Sequence, residues 1–254
     1  MSFEPARPTS AAATESPPER LVWDDATVTR FWRYYADRPD TYFSTAFGAV
    51  ISRRIARHLP AGGRVLDYGS GPGGLVRPLL AAGFQVGALE YNLPVAERLR
   101  AELQSARKFL GVWTTAGLER DAALAGSFDA VFLIEVIEHL SDPLLVETLM
   151  NIKRLLRPGG RLVCTTPNDE DLERAMVFCP ASGKIFHPMQ HVRSWTADTL
   201  AARLGAAGFS PKRVYSTDFG ADLRSFPRQW AVRVAKQLAR FPRKDPHLVA
   251  IVEA

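Results

Sequence analysis

Four glycines within six positions constrain this chain more than any other feature. An apolar run, Val65-Leu66, ends in Asp67 and breaks into Tyr68-Gly69-Ser70-Gly71-Pro72-Gly73-Gly74. A periodic apolar run from residue 75 to 80 follows. The pattern predicts a strand, a ligand-binding loop and a helix. Glycine permits left-handed backbone and close approach to a ligand, because no Cβ intervenes. A tight turn that binds nothing needs fewer glycines than this.

Two cofactor classes compete for such a loop. Gly69, Gly71 and Gly74 satisfy the G-x-G-x-x-G dinucleotide fingerprint, and Glu90 lies near the distance of a ribose-binding acid. Asp67 points the other way. A carboxylate at the strand end would repel a pyrophosphate, but would suit the cationic amine of S-adenosylmethionine. The sulfonium cofactor is therefore the better match. In either case Glu90 can accept from both ribose hydroxyls, because a carboxylate is a bidentate acceptor.

Around the loop, strands alternate with helices. Residues 84–89 read as a second buried strand ending at Glu90, and Val95, Leu99, Leu103 and Ala106 mark the next helix. Residues 109–113 form a weaker strand, followed by Gly117 and Leu118, where an adenine could sit. Residues 128–134 are a strong strand running into Glu135-Val136-Ile137-Glu138-His139. A helix bearing Leu145, Leu149, Ile152 and Leu156 follows, then a turn at Arg157-Pro158-Gly159-Gly160 and a strand at residues 161–166. This alternation predicts an α/β fold with a doubly wound parallel sheet. Ligands in such folds lie off the carboxyl ends of the strands, so Asp67, Glu90, Glu135 and Thr166 should share one cleft.

The flanks are less regular. Residues 1–20 hold Pro, Ser, Ala and Thr with few large apolar side chains, which predicts a disordered tail. Residues 21–60 predict two helices forming a lid, and residues 61–254 the main domain. The lid is aromatic, with Trp23, Phe31, Trp32, Tyr34, Tyr35, Tyr42 and Phe43. Residues 168–194 show no clear period and read as a long loop holding His187 and His191. Thr196 can cap a helix closed by Gly208. Strands are expected at 212–216 and 247–252, with a basic amphipathic helix over 223–241 that could touch a membrane surface. His58, His187 and His247 read as structural histidines.

Bulk properties limit the function classes. A chain of 254 residues with 46% apolar content can bury a sizeable core. A net charge of +5 favours anionic partners only mildly. Cys164 and Cys179 have no metal-type spacing and fit a reducing compartment. No secretory leader and no bilayer-spanning run is evident, so a cytoplasmic protein is expected.

These pieces together resemble the class I S-adenosylmethionine-dependent methyltransferases, over about residues 45–217 and more loosely in the last strand. The resemblance is carried by residues 65–74, Glu90, and residues 128–143, 156–168 and 191–209. It implies a Rossmann-like, seven-stranded sheet whose last strand is antiparallel. It further implies that Gly69, Ser70, Gly71 and Gly73 wrap the methionine part of the cofactor and that Asp67 orients its amine. Glu90 would hold the ribose, Tyr91 would stack beside the adenine, and Gly117-Leu118 would meet the adenine edge. Glu135 would open the loop where the methyl group faces an acceptor. His139 and His191 would be the candidate bases for a hydroxyl acceptor, with Glu138 beside them.

Glu135-x-x-Glu138-His139 with His191 downstream also resembles the metal site of the small-RNA 3′-terminal 2′-O-methyltransferases, where these four side chains would hold a divalent cation; S-adenosylmethionine without a metal is the favoured expectation. The same run is common among relatives of the ubiquinone-biosynthesis O-methyltransferase. A small-molecule or glycan acceptor is expected over RNA, because neither an RNA-binding module nor a compact basic cluster beside the cleft is evident. A protein that binds the cofactor without transferring its methyl group is the non-enzymatic alternative.

Overall fold

The computed structural model describes residues 17–223 and 244–254. A short strand β1 (Glu19–Arg20) leads into helices α1 (Asp25–Tyr35) and α2 (Phe43–Ala56). Asp24 caps α1 by accepting from the Thr27 amide. Then come β2 (Arg64–Tyr68), α3 (Val76–Ala81), β3 (Gln85–Leu89), α4 (Leu93–Leu103), β4 (Phe109–Trp113), α5 (Thr115–Arg120), β5 (Phe128–Ile134), α6 (Asp142–Leu155) and β6 (Leu156–Pro167). The chain continues through α7 (Leu172–Ala175), β7 (Val177–Cys179), β8 (Lys184–Phe186), α8 (Ala197–Ala206), β9 (Ser210–Thr217) and β10 (His247–Glu253).

Seven strands form one sheet in the order β4-β3-β2-β5-β6-β10-β9. The first five are parallel, and β10 lies antiparallel between β6 and β9. The expected α/β sheet is therefore present, with its last strand reversed. Strands β2, β3 and β5 are buried almost end to end, because helices cover both faces. One face packs on α2, α3 and α4 through Ile51, Ile55, Leu79 and Leu99. The other packs on α6 and α8 through Leu149, Ile152, Leu200 and Leu204. The strand order reverses between β2 and β5, so a crevice opens above their carboxyl ends. The glycine loop leaves β2 and residues 135–139 leave β5, both at that crevice.

The structure redraws several expected boundaries. Residues 1–16 lie outside the described residues, but Glu19–Arg20 are not tail: they pair in parallel with Lys184 and Ile185. The two helices expected as one lid divide. Helix α2 buries Val50, Ile51 and Ile55 in the core and belongs to the sheet domain. It lies so close to the glycine loop that a Cβ on Gly48 would sit 2.2 Å from the Gly74 carbonyl oxygen. Helix α1 has no buried residue and alone keeps a lid-like position.

Residues 168–194 are not one irregular loop. Strands β7 and β8 form a hairpin, and β1 adds to it as a third strand. Three-residue strands are too short to show an alternating pattern, so the sequence hid them. The expected turn at 157–160 is drawn into the start of β6, with Gly159 at φ 73 as Leu156 pairs with Phe128. The basic helix expected over 223–241 lies outside the described residues, apart from Leu223. Among the described residues, no helix is long and apolar enough to cross a membrane.

Candidate active site

The cofactor side of the crevice is built from backbone and two buried acids. Gly69, Gly71 and Gly73 all have positive φ, at 82°, 51° and 81°. All three are also sterically crowded: a Cβ on Gly73 would meet Leu99 at 2.5 Å. A Cβ on Gly69 would meet Val136 at 2.7 Å, and one on Gly71 would meet the Tyr42 ring at 2.8 Å. Glu90 closes the loop: its Oε2 accepts from the Gly71 amide at 2.8 Å and its Oε1 from the Asn92 amide at 2.7 Å.

Asp67 is 2% exposed, and its Oδ2 has no partner. Burial, and then the nearby Glu90 carboxylate, push its carboxyl up to about 7. The hydroxyl of Ser70 is likewise buried and unpartnered. Buried polar atoms are rarely left without partners in folded proteins, so these two await a polar ligand. A buried acceptor oxygen and a buried hydroxyl match the ammonium and carboxylate of a methionyl group. The donor set therefore fits S-adenosylmethionine.

The other carried-over cofactor positions differ in placement. Tyr91 is 60% exposed, with its hydroxyl 3.5 Å from the Thr29 hydroxyl of α1. Gly117 lies in α5, its amide donating to the Thr114 hydroxyl. Leu118 does not present an edge to the crevice: its side chain is fully buried in the core and its carbonyl accepts from Arg154.

Beyond β5 the acceptor side begins. Glu135 has φ 51, a conformation seldom taken by a residue with a side chain, which turns the chain sharply off the strand end. Its side chain lies 3.4 Å from His247 Nδ1, on β10. Glu138 is 1% exposed; its Oε2 accepts from the Thr166 hydroxyl at 3.1 Å, while Oε1 has no partner. Burial, reinforced by Glu135, raises the Glu138 carboxyl well above the ordinary range. His139 Nε2 is 3.9 Å from Glu138 Oε1. Its Nδ1 faces the Gln190 carbonyl at 3.4 Å, and a carbonyl only accepts, so Nδ1 carries the proton. Burial and the neighbouring His191 lower His139 to about 3, so this ring is neutral.

His191 joins from the far loop. Its ring meets that of His139 edge-on at 4.9 Å and stacks on His187 at 4.3 Å. Glu138, His139 and His191 can bring one ligand atom each within 4.8 Å of one another. Of the four residues that the small-RNA enzymes' metal site suggested, three come together here. Glu135 leaves them for His247, because the turn at Glu135 aims its side chain at β10. His187 and His247, expected to be merely structural, both lie in this region. A buried carboxylate oxygen without a partner, beside two imidazoles, is a donor set that fits a divalent cation.

Two participants, Glu170 and Gln190, were not expected from the sequence. Glu170 accepts from His191 Nδ1 at 2.5 Å and meets His187 Nε2 at 3.2 Å. Gln190, 1% exposed with φ 60, receives Trp32 Nε1–H at 3.0 Å and donates to the His139 carbonyl at 3.0 Å. Trp32 itself lies edge-on to His139, with ring centroids 5.1 Å apart, and near Tyr42 at 6.0 Å. The only sequence signal of Glu170 and Gln190 is position, in a segment that lacks a readable period.

A sheet of this order, with a glycine loop and a buried acid at its switch point, defines a Rossmann-like cofactor-binding enzyme. The chain belongs to the class I S-adenosylmethionine-dependent methyltransferases, and a methyltransferase-domain family model matches residues 40–213. It is 35% identical over 178 residues to the ubiquinone biosynthesis O-methyltransferase of Ruegeria sp. (strain TM1040), covering 67% of this chain and 70% of that one. Against the protein of the same description from Cereibacter sphaeroides (strain ATCC 17025 / ATH 2.4.3) it is 36% identical over 179 residues, covering 67% and 70%. In fold it resembles the Burkholderia thailandensis 1,6-didemethyltoxoflavin-N1-methyltransferase, solved with 1,6-didemethyltoxoflavin and S-adenosylhomocysteine. That match has a TM-score of 0.59 at 17% identity, covering 93% of each chain. S-adenosylmethionine is therefore the cofactor.

Proposed function

We propose that the protein O-methylates a hydroxyl on a small molecule or glycan, with His191 receiving the hydroxyl proton. The observation that carries this reading is the fixed imidazole of His191. Its Nδ1–H is held by Glu170 at 2.5 Å, which leaves Nε2 as the ring's free lone pair. A neutral imidazole so held is suited to accept a proton. His139 is the weaker candidate, since burial leaves it with little affinity for a proton.

When bound, the cofactor supplies a methyl group already activated on a sulfonium. The protein's task is then to hold the acceptor in line and to take its proton. His191 would take the proton of the acceptor oxygen as that oxygen receives the methyl group, which the bound sulfonium would supply in becoming a thioether. The aromatic group Trp32, Tyr35 and Tyr42 lies over this region, with Trp32 6.0 Å from each tyrosine ring. Such a cover supports a small acceptor over an extended RNA strand. The names of the two sequence relatives support oxygen as the receiving atom.

A second reading rests on the unpartnered Glu138 Oε1. Glu138, His139 and His191 would hold a divalent cation there, which would lower the pKa of a hydroxyl bound to it. Metal analysis of the purified protein and of Glu138→Gln separates the two readings. In the metal-free reading Gln keeps the shape of Glu138 and an acceptor for the Thr166 hydroxyl, and transfer should survive. Loss of both bound metal and transfer would favour the cation.

For the main reading, methyl transfer from labelled S-adenosylmethionine into a metabolite extract should yield methyl ethers. Transfer confined to nitrogen or carbon acceptors would refute it. A protein that binds the cofactor with calorimetric heat but labels nothing would point to the non-catalytic alternative.

A further inference from the structure

The segment after β6 contains a chain of side chains that ends at His191. Its anchor is firm: the Asp169 amide donates to the Trp195 carbonyl at 2.7 Å, and Asn168 bridges to Trp195. Glu170 follows directly. Its two carboxylate oxygens face His191 Nδ1 and His187 Nε2. A carboxylate in this arrangement accepts, so both ring nitrogens carry hydrogen.

His187 can satisfy this in one tautomer only. Its Nδ1 accepts the amides of Met189 and His191, both at 3.2 Å. The lone pair of the neutral ring is therefore on Nδ1, and the proton on Nε2. Although Glu170, His187 and His191 are close enough to hold a cation, His187 has no lone pair left to offer. This trio orients; it does not ligate. His187, 2% exposed, pins one oxygen of Glu170, and the other oxygen pins His191.

We infer that Glu170 is a positioning residue, which with His187 fixes His191 as the Nδ1–H tautomer and leaves its Nε2 lone pair toward the acceptor. Carboxylates and carbonyls behind a working imidazole commonly set its tautomer and ring orientation in this way. The inference rests on the proposed role of His191 for its functional meaning, but not for its geometry. The stack of His187 on His191, with an interplanar angle of 17°, holds the ring against rotation about its side chain.

The test is the tautomer itself, read by long-range proton–nitrogen NMR on histidine-labelled protein. In the unaltered protein the His191 signal should show a protonated Nδ1 and a bare Nε2. In Glu170→Ala that pattern should be lost in favour of the Nε2–H form or a mixture, while S-adenosylmethionine affinity stays within about twofold. Glu170→Asp should partly restore the original pattern, which a general packing defect would not do. If Glu170→Ala fails to fold, Glu170→Leu keeps the bulk and removes both acceptor oxygens. An unchanged His191 pattern in Glu170→Ala or Glu170→Leu, or an Nε2–H form in the unaltered protein, overturns the inference. The proposed role of His191 fails separately: His191→Ala would then transfer methyl groups from labelled cofactor into extract at the full rate, whatever the NMR shows.

Discussion

The two sides of the crevice are built by different means. On the cofactor side, residues 67–90 form one strand–loop–helix–strand unit whose shape is set by backbone. Three glycines at positive φ and two acids define it. On the acceptor side, residues from α1, the end of β5 and the loops around β7 and β8 meet only in three dimensions. Side-chain hydrogen bonds through Gln190 and Glu170 hold them together. Backbone geometry is encoded by neighbouring residues in sequence and is hard to change piecemeal. An assembly of distant side chains can be altered one residue at a time, which suits the part of the enzyme that chooses an acceptor.

The sharpest way to break this contrast is His191→Ala. Removing a positioned proton acceptor typically costs about 10²–10⁴-fold in rate. The loss should fall on kcat, with cofactor affinity unchanged by calorimetry, because His191 lies on the acceptor side. Weakened cofactor binding in this variant would mean that the two sides are not separate.

Asp67→Asn attacks the opposite side. Losing a buried partner for the cofactor's amine should weaken S-adenosylmethionine binding by about 2–5 kcal/mol. The same change should stabilise the protein without cofactor. Burial raises the Asp67 carboxyl from 3.8 to about 7, so ionising it disfavours the folded state. The contribution is fully present below the unfolded value and is lost as pH rises through about 7. It amounts to about 4 kcal/mol at most. Thermal melts should thus show Asp67→Asn gaining over the parent above pH 7 and little below pH 4. Cofactor affinity of the parent should rise with pH until Asp67 is ionised, then fall as the cofactor's own amine, near the usual α-amino value of about 8, deprotonates. A flat profile would remove Asp67 from the amine site.

The contrast also explains what could be read in advance. The glycine loop, Asp67, Glu90 and the buried strands were legible because each is local: a period of two, a run of glycines, an acid at a strand end. The reversed last strand came through the family resemblance. Glu170 and Gln190 were not legible, since nothing in the residues around them marks a carboxylate or an amide that will meet a histidine 21 or 51 positions away. His187 is the satisfied histidine expected, but its partner Glu170 was not legible for the same reason. Glu135 opens the loop after the strand as expected, but the positive φ that sends its side chain to His247 leaves no trace in residue type.

A smaller effect should come from the seam between α2 and the glycine loop. Gly48→Ala would force a methyl group against the Gly74 carbonyl, and overpacking of this kind costs about 1–3 kcal/mol. Because the obstacle is loop backbone, cofactor affinity should fall along with stability. If the melting temperature drops while affinity is kept, α2 supports the sheet but not the loop, and the cofactor side is narrower than residues 67–90 suggest.

The smallest expected effect tests whether α1 is coupled to the acceptor side alone. Trp32→Phe keeps an aromatic ring beside His139 but removes the indole N–H that Gln190 receives at 3.0 Å. One such hydrogen bond contributes about 1 kcal/mol net. Gln190 would keep its bond to the His139 carbonyl, so the imidazole cluster should remain in place. Helix α1, with no buried residue of its own, should be the element that loosens. Faster amide exchange confined to α1, a modest rise in acceptor KM and an unchanged S-adenosylmethionine affinity are expected. Faster exchange spreading into the glycine loop instead would mean that α1 closes over the cofactor, through Tyr42 against Gly71 and Thr29 beside Tyr91, and that the division between the two sides lies beyond it.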